Sequence, residues 1–589
     1  MKFPVLVSAA LLAVFTVHTA SAQDAAGDML APKVSISPVD WTAAAAALKD
    51  TLKDFGDGTP AEQFARLNAI SEKRLPGIGK SSVPVLLPID IEALKADVAK
   101  AEAAKPDAAP DVKTSDKYFG PFHPTAYFLP GPAGYSGTYL LDIGGGPFKV
   151  SYKKKPIEIE ITGAGFTYNL DGPSHEEVFT PKDTDLVAQF PGIKRILHEA
   201  HVRYAFERFG VPYIVSIQCY DRRPSSKFVS CREADPIAEA FLKRLQVAGG
   251  TPQKIEEPRL DLTRPQAKSD FTYYAPGDLI PGTGYKKQPG TVDYHVYAMM
   301  RFPIADAPAY VKSQSFNPWG DCYRTGHTGR IGRKDAPYSC KVNGLPLTFN
   351  EASPVNFNYP WRDNFCEYRD FQVGQCAGGR GHQGQDIKPA NCVINNEGAD
   401  RCEPYHHTIA AVRDGLIWRL KGNLAAYLIL NNANEFVRFR YLHMSPDFMD
   451  AEGLLTGRQV SEGEIIGKVA TWGDYESGTS YHLHFNMQVV TRSGWVWVNP
   501  YMSLVLSYEK MIKSRGTELK EGDPLPPVPP KPPVVLNPPV VAADKPAAAN
   551  GTGTPIAKPE TKSEAKPAPQ KPRKKIRRYR RKARTETDE

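Results

Sequence analysis

Two short segments contain the side-chain types that bind a divalent metal ion. In the first, His382 and Asp386 are four residues apart, with Gly384 between them. In the second, His482 and His484 alternate with apolar residues, as in a β-strand. Positions i, i+2 and i+4 of an extended chain share one face, so each segment would direct both of its polar side chains to the same side. Two imidazoles and a carboxylate suit a catalytic Zn²⁺, which keeps one position open for water.

The candidate zinc ligands are therefore His382, Asp386 and His484. Two imidazoles remain, which are His482 beside the last ligand and His443 in the segment Tyr441-Leu442-His443-Met444-Ser445. Hydrolysis needs a proton acceptor and a donor to the oxyanion, so it has a role for both. The predicted chemistry is metal-assisted hydrolysis, in which zinc polarises water and the scissile carbonyl.

Taken in order, the HxGxD segment, the YxHxS segment and the His-Leu-His-Phe strand resemble the M23 family of LytM/lysostaphin-type zinc endopeptidases. The resemblance covers about residues 355–505 and includes the strand and turn at 411–415 and the VxxGxxIG turn at 460–467. It implies an antiparallel β-sheet peptidase domain of the duplicated hybrid motif type. It also implies the same three zinc ligands, with His443 and His482 as the catalytic histidines. Members of this family cleave peptide cross-links of bacterial peptidoglycan.

The chain departs from the family pattern at three places. Ser480 and Tyr481 stand where Pro or another small residue is more common, and Asn486 replaces a common Glu. The stretch 388–408 is longer than usual and contains two cysteines, so we expect a disulfide-clipped loop near the groove. These departures concern the preferred substrate rather than the metal.

The N-terminus has the features of a cleavable export signal. Lys2 precedes an apolar run over residues 5–17, and Ala20-Ser21-Ala22 forms a small-residue cleavage site. The run is too short to span a bilayer, and no other candidate transmembrane segment follows it. We therefore expect a protein of the periplasm or the extracellular cell envelope, without a transmembrane segment after cleavage.

The 8 cysteines fall in four close pairs, which in an exported protein indicate local disulfides. A thiolate metal site is the alternative, but no pair has the CxxC spacing. The predicted disulfides are Cys219–Cys231, Cys322–Cys340, Cys366–Cys376 and Cys392–Cys402.

The net charge of +8 comes from the C-terminal tail, because residues 524–589 contain 15 Lys and Arg against 6 Asp and Glu. The rest of the chain is nearly neutral, which argues against nucleic acid as a partner. The cluster 573–584, with nine Lys and Arg, could contact anionic envelope polymers or lipid headgroups, or it could be a solvated charged tail.

Periodicity predicts a mixed α+β multidomain protein with helical and α/β N-terminal regions. Helices are expected at 41–55 and 91–104, a strand at 157–161, a helix through 193–204 and a helix that starts at Asp235. A strand is possible at 295–298, and Cys322 to Cys340 would enclose a loop. Short apolar segments between 405 and 505 predict an antiparallel sheet. The predicted regions are a signal peptide (1–22), a helical region (23–115), an α/β accessory domain (116–250), a Gly/Pro/aromatic-rich accessory region (251–350), the M23-like peptidase domain (351–510) and a disordered basic tail (511–589).

The remaining histidines fit other roles better. His198 and His201 lack the HExxH spacing, so an exposed helix face is the favoured interpretation. His406 and His407 are adjacent and would point to opposite faces of a strand. They are interpreted as structural, with His407 a candidate for lining the groove.

Two alternative hypotheses remain for the whole chain. One is a non-catalytic or autoinhibited envelope protein that binds the cell wall or activates another murein hydrolase, although such proteins usually lose zinc ligands. The other is that residues 23–350 cover the groove until a partner moves them.

Overall fold

The computed structural model describes residues 33–524 with gaps, of which the larger ones are 142–155, 171–175, 220–228, 277–298, 313–320, 325–337, 348–359, 390–401 and 431–434. The export signal, the strand expected at 295–298 and residues 525–589 of the predicted tail lie outside the described residues. The prediction of a disordered tail is wrong for residues 511–519, because a helix runs to Ile512 and a strand over Arg515–Leu519 pairs with Lys268–Tyr274. The described residues belong to one compact unit. Within them, no helix combines the length and apolar character needed to cross a membrane.

The N-terminal region is helical, as predicted, because each helix starts at a polar side chain that accepts a backbone N–H bond. Asp40 and Asp90 cap the first and third helices, and Thr59 forms a capping box with Glu62 at the second. The elements are β1 (Val34–Ile36), α1 (Trp41–Thr51), α2 (Pro60–Ser71), β2 (Val85–Leu87) and α3 (Ile91–Ala103).

The next region is built on a seven-stranded antiparallel sheet of order β3-β4-β5-β10-β9-β8-β7, which is called here the accessory sheet. Its elements are β3 (Phe122–Gly131), β4 (Gly134–Leu141), β5 (Ile157–Ala164), β6 (Phe166–Tyr168), β7 (Glu177–Phe179), α4 (Thr184–Gln189), β8 (Lys194–His198), β9 (His201–Arg208), β10 (Val211–Gln218), α5 (Cys231–Lys243) and β11 (Gln246–Gly249).

The helix predicted through 193–204 is wrong, because this stretch forms the hairpin β8–β9. Its turn residues Glu199 and Ala200 have φ of 51° and 58°, the left-handed region that two-residue hairpin turns use. The spacing of the apolar residues fits both a helix and a strand. Pairing with β7 on one side and β10 on the other favours the two strands. The exposed helix face proposed for His198 and His201 is therefore also wrong, since His198 is buried in the hairpin.

The predicted start of α5 at Asp235 is wrong as well. The helix begins four residues earlier at Cys231, where Ser230 and Glu233 form a capping box, and Pro236 lies inside the helix. The pattern before the proline therefore contained the stronger start signal.

The C-terminal region contains an eight-stranded antiparallel sheet, called here the main sheet, of order β13-β17-β24-β21-β20-β19-β22, with β25 paired to β24. The strands predicted between 405 and 505 are confirmed. The elements are β12 (Lys268–Tyr274), β13 (Ala309–Val311), β14 (Asp321–Arg324), β15 (Tyr338–Val342), β16 (Leu345–Leu347), β17 (Gln385–Pro389), β18 (Thr408–Ala410), β19 (Gly415–Trp418), β20 (Ala425–Leu430), β21 (Val437–Leu442), α6 (Pro446–Ala451), β22 (Gln459–Val460), β23 (Ile465–Lys468), β24 (Leu483–Thr491), β25 (Gly494–Val498), α7 (Tyr501–Ile512) and β26 (Arg515–Leu519).

The fold is therefore a mixture of helices and several antiparallel sheets, as expected, while the duplicated hybrid motif and the domain boundaries remain predictions. The disulfides Cys219–Cys231 and Cys366–Cys376 are formed as predicted. The other two predicted pairings, Cys322–Cys340 and Cys392–Cys402, involve side chains outside the described residues.

Candidate metal centre

Neighbouring strands of the main sheet bring the candidate ligands together. Strands β17 and β24 are antiparallel, and Asp386 lies directly opposite His484. Cross-strand partners point to the same face of a sheet, so the carboxylate and the imidazole meet there. On the other side of β24, Leu442 is the partner of His484, which places the next residue, His443, at the same end of the sheet.

The glycine of the HxGxD segment is required by close packing. A Cβ at Gly384 would lie 2.2 Å from the carbonyl oxygen of Phe485, so no larger residue fits without moving β24. The backbone around His382 is held in turn by the segment that precedes it, because Cys366 N–H donates to the carbonyl of His382 at 3.0 Å. The Cys366–Cys376 disulfide therefore lies directly beside a candidate ligand.

Three donor atoms converge on one point. His382 Nε2 lies 3.0 Å from His484 Nδ1, and His484 Nδ1 lies 2.9 Å from Asp386 Oδ1. The separation of His382 Nε2 from Asp386 Oδ1 is 3.3 Å. All three side chains are buried. The three residues thus form a His-Asp-His group that could hold a metal ion.

The surroundings of the group fit a metal with nitrogen and oxygen ligands. His382 Nδ1 lies 2.9 Å from the backbone carbonyl of Asn364, so Nδ1 carries the proton and Nε2 presents its lone pair to the centre. His482 Nε2 is buried with no hydrogen-bond partner among the described residues, and it lies 3.4 Å from Asp386 Oδ1. Two imidazole nitrogens and one carboxylate oxygen are the donor set of catalytic Zn²⁺ sites.

His443 and His482 flank this group and are oriented in the same way. The Nδ1 atom of His443 donates to the carbonyl of Trp472 at 2.6 Å, and that of His482 donates to the carbonyl of Ser480 at 2.8 Å. Their ring centroids are 4.6 Å apart. His443 has φ of 69°, which is uncommon for a residue with a side chain and is typical of positions that surrounding structure holds in place for function.

Burial keeps three of the imidazoles neutral. It lowers the pKa of His443 and of His484 to about 3, and that of His482 to about 4. Burial alone would raise the pKa of Asp386, but its electrostatic interactions with His382 and His482 and its hydrogen bonds with His382 and His484 outweigh burial and hold that pKa well below its usual range. For His382, burial is outweighed by Asp386, so its pKa is raised. An ionised carboxylate beside neutral imidazoles is the protonation state that can bind a cation.

A second set of residues, which the sequence did not identify, forms hydrogen bonds that hold the ligand segment in place. Asn364 Oδ1 accepts from the backbone N–H of Asp386 at 3.2 Å. The side-chain amide of Gln385 donates to a carboxylate oxygen of Asp363 and to the amide oxygen of Asn499. The amide nitrogen of Asn499 in turn donates to the other carboxylate oxygen of Asp363 at 2.6 Å. Only Gln385 lies inside a recognised motif, at an unspecified position, so no sequence signal identified the others.

All five sequence-predicted site residues thus lie together: His382, Asp386, His443, His482 and His484. Their individual roles remain predictions. His406 is exposed beside Glu403, whereas His407 is buried, with its Nδ1 2.7 Å from the hydroxyl of Tyr481, the neighbour of His482.

No family model matches the chain, and no curated protein matches it either. Among solved structures, a match is that of a proposed glycyl-glycine endopeptidase LytM from Ruminococcus gnavus. The two chains are 18% identical, and the match covers 24% of this chain and 51% of the other, about half of its length, with a TM-score of 0.17. At that TM-score the match carries no argument about fold or activity, so the case for function depends on the site itself.

Proposed function

We propose that this chain is an exported, zinc-dependent endopeptidase that hydrolyses the peptide cross-links of peptidoglycan. The observation that carries the proposal is the convergence of His382 Nε2, Asp386 Oδ1 and His484 Nδ1 within 3.3 Å of one another, beside two further oriented imidazoles. The order of the HxGxD, YxHxS and HxH segments in the sequence supports the same family assignment.

In this proposal His382, Asp386 and His484 hold the zinc ion. When bound, Zn²⁺ supplies Lewis acidity for the scissile carbonyl and for water. Asn364 contributes by fixing the proton of His382 on Nδ1, and its side chain holds the backbone of Asp386. Such outer partners orient ligands and raise their basicity.

His443 and His482 perform the proton transfers. Each is fixed through its Nδ1–H, which leaves Nε2 as the atom that exchanges protons. A neutral imidazole can accept the proton of the attacking water at Nε2, and a protonated one can donate to the oxyanion of the tetrahedral intermediate. The proposal assigns one of these tasks to each histidine.

The cell wall as substrate and the location in the envelope are part of the proposal. The N-terminal segment has the pattern of an export signal, and disulfides are typical of oxidising compartments. The complete ligand set disfavours the alternative of a non-catalytic activator.

Digestion of purified peptidoglycan sacculi by the mature protein tests this function. We expect soluble muropeptides with new amino termini, no release in the presence of a chelator, and recovery after Zn²⁺ is added back. The His443→Ala protein is the matched control. Intact sacculi after incubation with zinc-loaded wild-type protein would contradict the proposal.

A further inference from the structure

The three candidate ligands differ in what holds their backbones. Asp386 lies in β17 and His484 in β24, and the two are cross-strand partners in the main sheet. His382 lies before the start of β17. Its backbone bonds instead to an earlier segment, because Cys366 N–H donates to the carbonyl of His382 at 3.0 Å and His382 N–H donates to the carbonyl of Glu367 at 2.8 Å. The position of this one ligand therefore depends on the segment that contains Cys366.

The Cys366–Cys376 disulfide packs against the residue that precedes His382. A Cβ at Gly381 would lie 2.7 Å from Cys366 Cα and 2.9 Å from Cys376 Sγ, so no larger side chain fits there unless the disulfide moves. The N–H of Gly381 also donates to the carbonyl of Phe371 at 3.0 Å, and Phe371 belongs to the loop that the disulfide closes. The disulfide and its loop thus hold the chain directly before the ligand.

Cys366 has a backbone conformation that needs such restraints. Its φ of 65° is in the left-handed region, which is unfavourable for a residue with a side chain and persists where the surrounding structure holds it. The hydrogen bond to His382 and the covalent bond to Cys376 are two of these restraints. Two residues earlier, the carbonyl of Asn364 fixes the proton of His382 on Nδ1. Loss of the disulfide would therefore affect both the backbone of His382 and the orientation of its ring.

Formation of this disulfide is an oxidation that depends on the compartment. The two thiols give up two protons and two electrons to a disulfide oxidant, which is itself reduced to two thiols. Reducing compartments keep thiols free, whereas disulfides form and persist in oxidising ones. Both cysteines are buried in the folded protein, so an attacking thiolate has little access to the bond once it has formed. The bond is therefore set when the chain folds and is not a reversible switch.

We propose that the Cys366–Cys376 disulfide positions His382 for metal binding, so that the centre binds zinc tightly only after this bond has formed. This inference rests on the proposed zinc peptidase and adds a condition on when it becomes active. In a reducing compartment the chain keeps Asp386 and His484 paired in the main sheet, but its third ligand is not held in place. Loss of a group that positions a ligand typically weakens metal binding about 10- to 100-fold.

The zinc affinity of cysteine variants tests the inference without any need for turnover. Cys366→Ala combined with Cys376→Ala removes the disulfide beside the ligand. Cys219→Ala combined with Cys231→Ala is the matched control, because it removes a buried disulfide of similar span, 12 residues against 10, that joins the end of β10 to the start of α5. Each mature protein is freed of metal with a chelator. Its zinc dissociation constant is then measured by competition with a fluorescent zinc indicator, and its melting temperature is measured without zinc.

We expect the variant without the Cys366–Cys376 bond to bind zinc about 10- to 100-fold more weakly than the wild-type protein, and the control to stay within about twofold of it. Both variants should lower the melting temperature by similar amounts, because closed loops of similar length restrict the unfolded chain to a similar degree. Gly381→Ala keeps both cysteines but forces the disulfide away from the ligand segment, so it should also weaken zinc binding. This variant provides the test if the double variant does not fold.

Wild-type zinc affinity without the Cys366–Cys376 bond, or an equal loss of affinity in the control, would overturn the inference. If the double variant does not fold, wild-type affinity in Gly381→Ala would overturn it. Sacculus digestion by the wild-type protein reports separately on the proposed function. A zinc affinity that depends on this disulfide, in a protein that does not digest sacculi, would refute the function and leave the inference in place.

Discussion

Two buried groups of polar side chains on one face of the main sheet differ in how their charges are balanced. At the accessory sheet, Arg438 and Glu160 form a matched ion pair, and Arg438 also stacks 3.9 Å from the ring centroid of Trp495. At the candidate metal centre, His382 Nε2 and Asp386 Oδ1 lie 3.0 Å and 2.9 Å from His484 Nδ1. An arginine and a carboxylate neutralise each other, whereas two imidazoles and a carboxylate that converge in this way could hold a cation. The Arg438–Glu160 pair thus joins two sheets, whereas the group of His382, Asp386 and His484 has the donor atoms of a metal site.

The largest expected effect is the loss of the cation. Replacing His382, Asp386 or His484 by Ala removes one of three protein ligands, so we expect bound zinc to fall from about one per chain to near zero and hydrolysis to disappear with it. Metal analysis and sacculus digestion on the same preparations measure both. A variant that retains full zinc occupancy would show that its residue is not a ligand.

The next effect distinguishes proton transfer from metal binding. His443→Ala and His482→Ala leave the ligand set complete, so zinc content should stay at the wild-type level while the rate falls by about 10² to 10⁴. If these histidines only pack the sheet, their loss should lower the melting temperature and leave turnover near the wild-type value.

Substitutions in the Arg438–Glu160 ion pair should change the stability of the protein rather than its hydrolytic rate. Removal of one partner, as in Arg438→Ala or Glu160→Ala, leaves a buried charge and should lower the free energy of unfolding by about 3–5 kcal/mol. The double variant Glu160→Leu with Arg438→Met should recover most of this loss. Arg492→Ala, which breaks an exposed pair with Glu207, should cost less than about 1 kcal/mol in urea titrations. Additive losses in the double variant would contradict the matched-pair interpretation.

The smallest expected effect on stability comes from Glu158, which lies on β5 two residues before Glu160. Burial raises the pKa of Glu158 from 4.5 to about 7, so the folded protein holds a proton there that the unfolded chain has released. This contribution to stability is complete below pH 4.5 and is lost as the pH rises towards 7. Because the side chain is partly exposed, we expect about 1–2 kcal/mol over that window.

Glu158→Gln is the variant that checks this contribution. It should remove this part of the pH dependence and stabilise the protein at pH 8. The free energy of unfolding, measured by urea titration at pH 5 and pH 8, gives the answer. An unchanged difference between the two pH values in the variant would contradict the assignment.

The sequence predicted the candidate centre better than the rest of the molecule, for a physical reason. Strand periodicity is a local property, so spacing alone predicted that His382 and Asp386 share one face of their segment and that His482 and His484 share one face of theirs. His443 needed the family resemblance, since nothing local ties it to the others.

Features that depend on distant packing could not be predicted. The pairing of Glu160 with Arg438 joins residues 278 apart in the chain, and the carbonyl of Asn364 that orients His382 has no side-chain signature. The apolar residues of the hairpin at 194–208 fit both the helical and the strand period, so the sequence alone favours a helix there, and only pairing with the neighbouring strands selects the hairpin.

The most direct test of the central claim is a crystal structure of the mature protein with anomalous diffraction data collected on both sides of the zinc absorption edge. The account predicts one strong zinc peak, at about 2.0–2.2 Å from His382 Nε2, Asp386 Oδ1 and His484 Nδ1, with His443 and His482 beyond bonding distance. The absence of such a peak in zinc-supplemented crystals, or zinc bound through His443 or His482 instead, would contradict it.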